Sequence, residues 1–259
     1  MKKILLALFL VVSFISTVYA DDSVWKEIRS THFIIYYQKK SDDAFLRQLT
    51  NVAESYYNRI AGDLGFNRFD FWLWDKRAKI YIYNDAAAFQ KATGQPEWAV
   101  GVAIPQDKVI RSFIGQKDFF DTVLAHEMSH IIFREFVGFD NPAVPLWLEE
   151  GVAYYQQKSK ISIGRMVLKG ALDKGVFMRI DKLNRIRDLQ KEDDFVVNLF
   201  YTESLGVVDY LMTQFGRDKF VLFCQKLRDK RNFNQALLSA YSFRDIDALD
   251  AAWCAYLKE

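Results

Sequence analysis

The chain has 259 residues, 51% hydrophobic and 16% aromatic, which excludes an intrinsically disordered segment and is enough to bury a sizeable core. Its formal charge is only +2, from 35 basic and 33 acidic side chains, and without Lys2 and Lys3 the balance is zero. Away from any local patch, that balance leaves no electrostatic case for nucleic acid or an anionic membrane as a partner. With four prolines and no internal repeat there is no sign of a Pro-rich linker, and the chain reads as one domain over residues 21–259, an α/β half at 21–137 and a helical half at 138–259.

Residues 1–20 are read apart from that domain. Met1-Lys2-Lys3 is a basic start, Ile4 to Val12 is apolar, and Val18-Tyr19-Ala20 resembles a small-residue cleavage site. These features predict a signal peptide removed after Ala20, hence a periplasmic or secreted protein with no stable membrane insertion after cleavage. An uncleaved anchor is the alternative, although Ser13, Ser16 and Thr17 break the apolar run. No cysteine stands at the cleavage point, against a lipoprotein.

Within Trp25 to Gln38, the β-branched and aromatic run Phe33-Ile34-Ile35-Tyr36-Tyr37 predicts a strand, opened by His32 as a structural or surface residue. Asp42 or Asp43 then caps a helix reaching about Leu64 and stopped by Gly65. Phe45, Leu49, Val52, Tyr56 and Ile60 mark its buried face. Strands are expected at Ala78–Tyr83, Ala99–Ile104 and Lys108–Phe113, with a helical turn near Ala86–Ala92 and a hairpin turn at Pro105-Gln106-Asp107.

A helix from about Asp118 to Val137 carries His126-Glu127-Met128-Ser129-His130. On a helix, residues four apart lie about 40° apart around the axis and about 6 Å along it. Both imidazoles can therefore reach one Zn2+ ion. Glu127, about 100° round from His126, can flank that ion without ligating it. Nineteen residues then separate His130 from Glu150, room for the helix to end, a loop to turn and a second helix to return. Pro145 suits the first turn of that second helix.

The pattern H-E-x-x-H followed by Trp147-Leu148-Glu149-Glu150-Gly151-Val152-Ala153-Tyr154-Tyr155 resembles the gluzincin zinc metallopeptidases, especially the peptidase MA-like family of small bacterial envelope proteins. Tyr201 to Ser204, Val208 to Leu211, Phe215-Gly216-Arg217 and Ala252 to Leu257 also resemble that family. The resemblance implies an α+β fold in which a small mixed or antiparallel N-terminal sheet packs on the H-E-x-x-H helix and a mainly helical half follows. It implies one Zn2+ held by His126, His130 and Glu150, with Glu149 as the rival third ligand. It makes Glu127 the general base, and Tyr201 a candidate hydrogen-bond donor to the developing oxyanion, with His32 weaker. Because thirteen tyrosines are present, Tyr201 is equally readable as a core aromatic.

The resemblance also makes Trp98 to Ala103 a substrate-binding edge strand, the alternative being an ordinary hairpin with a bulge at Gly101. The expected activity is hydrolysis of peptide or protein substrates. A catalytically inactive scaffold and a zinc hydrolase of a non-peptide bond are the alternatives. Two departures matter. Thermolysin-like enzymes place an Asp four residues after the ligand Glu to orient a ligand histidine, where this chain has Tyr154. The G-A-M-E-N segment of the clan's aminopeptidases is replaced by Val100-Gly101-Val102-Ala103, which favours endopeptidase action.

Residues 159–194 mix a helix near Ile163–Leu172 with polar connections that could rim the cleft. From Asn198, the residues Tyr201, Leu205, Val208, Leu211, Met212 and Phe215 predict a helix face stopped by Gly216. Cys224 and Cys254 fall in predicted helices, as a disulfide or as two buried thiols.

Overall fold

The computed structural model describes residues 25–38, 43–66, 72–97, 99–116 and 118–259. The expected signal peptide, Asp42 as a cap and Trp98 at the head of the substrate edge lie outside these residues. The fold is α+β, a five-stranded mixed sheet followed by helices. Strands β1 (Lys26–Arg29), β2 (Phe33–Tyr37), β3 (Ala78–Tyr83), β4 (Gly101–Ile104) and β5 (Val109–Phe113) lie in the order β1-β2-β3-β5-β4. β2, β3 and β5 run parallel, and β1 and β4 pair antiparallel at the two edges.

Alternation sets the sheet's inner face. Phe33 and Ile35 of β2, Ala78, Ile80 and Ile82 of β3, and Ile110 of β5 are fully buried. Helices α1 (Asp43–Leu64) and α3 (Leu124–Val137) pack against the sheet. The buried stripe of α1 runs through Leu46, Leu49, Ala53, Tyr57 and Ile60, about one residue later than expected. Phe45, Val52 and Tyr56 sit on its shoulder, half-buried against the same core. Each fully buried Ile, Leu or Phe contributes roughly 1.5–3 kcal/mol, so this layer holds the sheet to the metal-motif helix.

Several boundaries moved for local reasons. The stretch from Trp25 is a hairpin: Ser30 N–H donates to the Phe33 carbonyl at 2.9 Å, and β1, with charges at Lys26, Glu27 and Arg29, has no apolar alternation to reveal it. The hairpin after α2 (Ala86–Thr93) forms as expected, yet β4 starts at Gly101, because the Ser112 hydroxyl takes the Val100 carbonyl at 2.7 Å. β5 starts at Val109 because Lys108 has a left-handed backbone (φ 53°) closing the turn. The β4–β5 register is unbroken from Gly101 opposite Ser112 to Ile104 opposite Val109, so Gly101 is not a bulge.

The motif helix begins with a π-helical turn, Phe119–Val123, that runs directly into α3. The chain returns through buried Asn141, whose amide donates to the Val137 and Leu227 carbonyls at 2.9 and 3.0 Å while its oxygen accepts from Ala143 N–H. α4 (Leu146–Tyr155) follows, with Pro145 as the cap residue (φ −73°, ψ 153°) rather than inside the first turn. α5 (Lys158–Asp173) and α6 (Ile180–Leu183) lead to α7 (Asp194–Phe215), four residues longer than expected because the Asp193 side chain caps Val196 N–H. α8 (Arg217–Lys230), α9 (Phe233–Tyr241) and α10 (Ile246–Tyr256) close the fold. Cys224 and Cys254 are free thiols, Cys224 fully buried. Among the described residues no helix is long and apolar enough to cross a membrane.

Candidate metal centre

Two close approaches, of α4 on α7 and of the edge strand on the motif helix, frame the site. A Cβ built on Gly151 would lie 2.3 Å from the Ser204 carbonyl oxygen, so the glycine of the Glu150-Gly151 pair lets α4 cross the backbone of α7. A Cβ on Gly101 would lie 2.7 Å from Val123 Cγ1 and 3.3 Å from Glu127 Oε1. Glycine there lets β4 lie directly on the Glu127 side chain.

Between these elements runs a cleft of about 1060 Å³. His126, Glu127, His130, Glu149 and Glu150 line its floor, with Ala99 to Ala103 on one wall and Tyr154, Gln157, Asn198 and Tyr201 on the other. α5, the segment before α7 and the first residue of α7 supply its rim through Lys160, Leu189, Glu192 and Asp194.

On this floor three atoms converge. His126 Nε2 and His130 Nε2 are 3.1 Å apart, and Glu150 Oε2 is 3.4 and 3.8 Å from them. A tetrahedral zinc with bonds of about 2.0–2.1 Å separates its ligands by about 3.3 Å. The triangle therefore fits one such ion, and among the described residues these three form the group able to hold a metal. Glu150 Oε2 is buried without a hydrogen-bond partner, an expensive arrangement unless a cation completes it.

The electrostatics follow from the same geometry. Burial pushes the His130 pKa down, but Glu150, Glu149 and Glu127 outweigh it and carry it up to about 9. A metal ion would displace that proton. Burial raises Glu150, yet His130 and His126 bring its carboxyl below the usual range.

Glu149 points elsewhere. Its Oε1 stands 3.5 Å from His130 Nδ1, the nitrogen away from the triangle, and its Oε2 accepts from Arg134. Burial works against its charge, but His130 and Arg134 hold it down at about 2. It is thus the outer partner of His130, itself locked by Arg134. His126 has a different outer partner: Gln157 Nε2 lies 2.9 Å from His126 Nδ1. Tyr154, at the position where thermolysin-like enzymes carry an Asp, presents its ring edge-on to His126 at 5.1 Å and stacks on Tyr201 at 4.7 Å.

His126, His130, Glu150, Glu127 and Tyr201 thus face one cleft. His32 does not; its Nδ1 is 2.5 Å from Glu54 Oε2 and its ring stacks on Tyr57. Burial and the Glu150 charge push the Tyr154 phenol to about 12, and burial with Glu150, Tyr154 and Glu127 raises Tyr201 further. Both phenols stay protonated and able to donate at neutral pH. Gln157 and the Arg134–Glu149 pair escaped sequence reasoning. The i,i+4 step within α3 could not reveal a contact made from the end of α4.

Two imidazoles and a carboxylate meeting beside a further glutamate in an open cleft make a centre of the metallopeptidase type. The model of the peptidase MA superfamily matches residues 73–259, and the chain belongs to that superfamily. Among solved structures, native yeast LTA4 hydrolase aligns with a TM-score of 0.48 and 15% identity over 88% of this chain and 38% of that one. The chain thus spans well under half of that protein's length. No curated protein matches the sequence.

Proposed function

We propose that the protein is an exported zinc peptidase that cleaves internal bonds of peptides or proteins in the periplasm or outside the cell. The observation that carries this reading is the triangle of His126 Nε2, His130 Nε2 and Glu150 Oε2 on the floor of a cleft walled by an edge strand. A zinc ion held there supplies Lewis-acid polarisation of a carbonyl and acidifies water.

The chain's own groups do the rest. β4 pairs with β5 on one side and is the last strand of the sheet, so its other edge can take an extended peptide as an added strand. Glu127, against that strand at Gly101, takes the proton of the attacking water and returns it to the leaving amine. Tyr201 donates its phenolic hydrogen to the oxyanion as the carbonyl carbon becomes tetrahedral. Val100 to Ala103 offer no carboxylate to capture a free amino terminus, which supports internal cleavage over aminopeptidase action.

Metal analysis of reconstituted protein, paired with peptide-library digests by wild type and Glu127→Gln, tests the proposal. It predicts one zinc per chain in both proteins and a loss of cleavage of at least about 10²-fold in the variant. Bound zinc with no Glu127-dependent cleavage of any peptide would leave a scaffold or a non-peptide hydrolase instead. Failure to bind zinc would remove the metal centre itself.

A further inference from the structure

Gln157 is 6% exposed, in the short break between α4 and α5. Its seat is held from several directions. Gln157 N–H donates to the Tyr154 carbonyl at 2.9 Å, and its own carbonyl accepts from Lys160 N–H at 2.8 Å. The preceding residue, Gln156, accepts from Arg59 of α1 through both its side-chain oxygen (2.9 Å) and its backbone carbonyl (3.0 Å). The amide of Gln157 is thereby carried to His126 Nδ1, while His126 Nε2 faces Glu150 and His130.

We infer that Gln157 is the positioning residue that orients His126 for the metal, in the role that an acidic residue four positions after the third ligand would otherwise fill. The inference rests on the zinc reading above. A histidine ligating through Nε2 carries its hydrogen on Nδ1 and must donate it. An amide can accept that hydrogen through Oε1. Turned by half a rotation it can instead donate to a bare Nδ1, which places the ring hydrogen on Nε2, toward Glu150 Oε2 at 3.4 Å. Gln157 therefore accommodates both tautomers, one suited to the metal-free site and one to the loaded site. A carboxylate would accept only from the second. His130 lies on the other branch of this contrast, with the Arg134-locked carboxylate of Glu149 beside its Nδ1.

The test is zinc affinity, measured by chelator competition on the full chain, together with melting of the metal-free protein. Gln157→Leu removes the acceptor and is expected to weaken zinc binding about 10–100-fold, with the metal-free melting temperature little changed. Gln157→Glu keeps the shape, fixes the hydrogen on Nδ1, and is expected to bind zinc at least as tightly as wild type. In zinc-loaded wild type, nitrogen-15 spectra should show a slowly exchanging His126 Nδ1–H that is lost in Gln157→Leu. Wild-type affinity in Gln157→Leu would overturn the inference. So would a tenfold loss in Gln157→Glu, which is decisive even where the Leu variant does not fold. Wild-type protein that takes up no zinc would overturn the metal centre, and this inference with it.

Discussion

Tyr201 and Glu203 are two residues apart on α7, about 200° apart around the helix, and look into different worlds. Tyr201 faces the cleft, where the half-buried carboxylates Glu149 and Glu150 are surrounded by His126, His130 and Arg134 and are held ionised. Glu203 is fully buried; one oxygen accepts Met178 N–H at 2.8 Å and the other has no hydrogen-bond partner. Burial lifts its pKa to about 8, and the Met178 N–H and Lys182 offset this only in part. Nearby Asp250 is as deeply buried, accepts Ile180 N–H at 2.7 Å and pairs with Arg179 at 2.8 Å. Burial alone therefore does not fix the charge of a carboxyl group. Cationic neighbours within reach oppose burial, as His130 and Arg134 do for Glu149 and as His130 and His126 do for Glu150.

The largest expected effect comes from this difference. The folded-state pKa of Glu203 is raised above the 4.5 of the unfolded chain, so its contribution is fully present below about pH 4.5 and is lost as pH rises through about 8. The loss amounts to about 4–5 kcal/mol, and Glu203→Gln should abolish that part of the slope. Urea unfolding at pH 5 and pH 8 measures it; an identical slope in the variant would mean that Glu203 is ionised when folded. Glu149→Ala strikes the cleft side by leaving Arg134 without its carboxylate, and should cost the metal-free protein about 3 kcal/mol in the same measurement. A loss near zero would show the pair to be a surface contact.

On catalysis, Tyr201→Phe should lower kcat about 10²-fold with KM little changed, and Tyr154→Phe much less. A reversal of that order would move the oxyanion donor to Tyr154. Gly101→Ala should have the smallest effect on stability, about 1–2 kcal/mol from crowding against Val123, together with slower turnover from a displaced Glu127. Unchanged activity would show that the edge strand yields without moving the glutamate.

The three residues whose side-chain atoms converge on the cleft floor were legible because their signal is local. His126 and His130 fall one helical turn apart, and Glu150 follows in a family-like segment. The strands with apolar alternation were legible for the same reason, Ala78–Tyr83 to the residue. β1 was hidden because its four residues carry three charges, and its pairing partner, not its pattern, makes it a strand. The contacts behind the histidines were hidden because they run between elements, from α3 to α4 and to the break after it. Gln157 arrives from just beyond α4, next to Gln156, which Arg59 of α1 holds, and Arg134 of α3 donates to Glu149. Nothing in the spacing of polar residues marks such contacts.

The central claim is that Glu150 closes the metal triangle while Glu149 only steadies His130. Zinc content and affinity of reconstituted wild type, Glu150→Ala and Glu149→Ala test it most directly. The account predicts one tightly held zinc in wild type, loss of stoichiometric zinc in Glu150→Ala, and a weakened but occupied site in Glu149→Ala. Full occupancy in Glu150→Ala with loss in Glu149→Ala would contradict it.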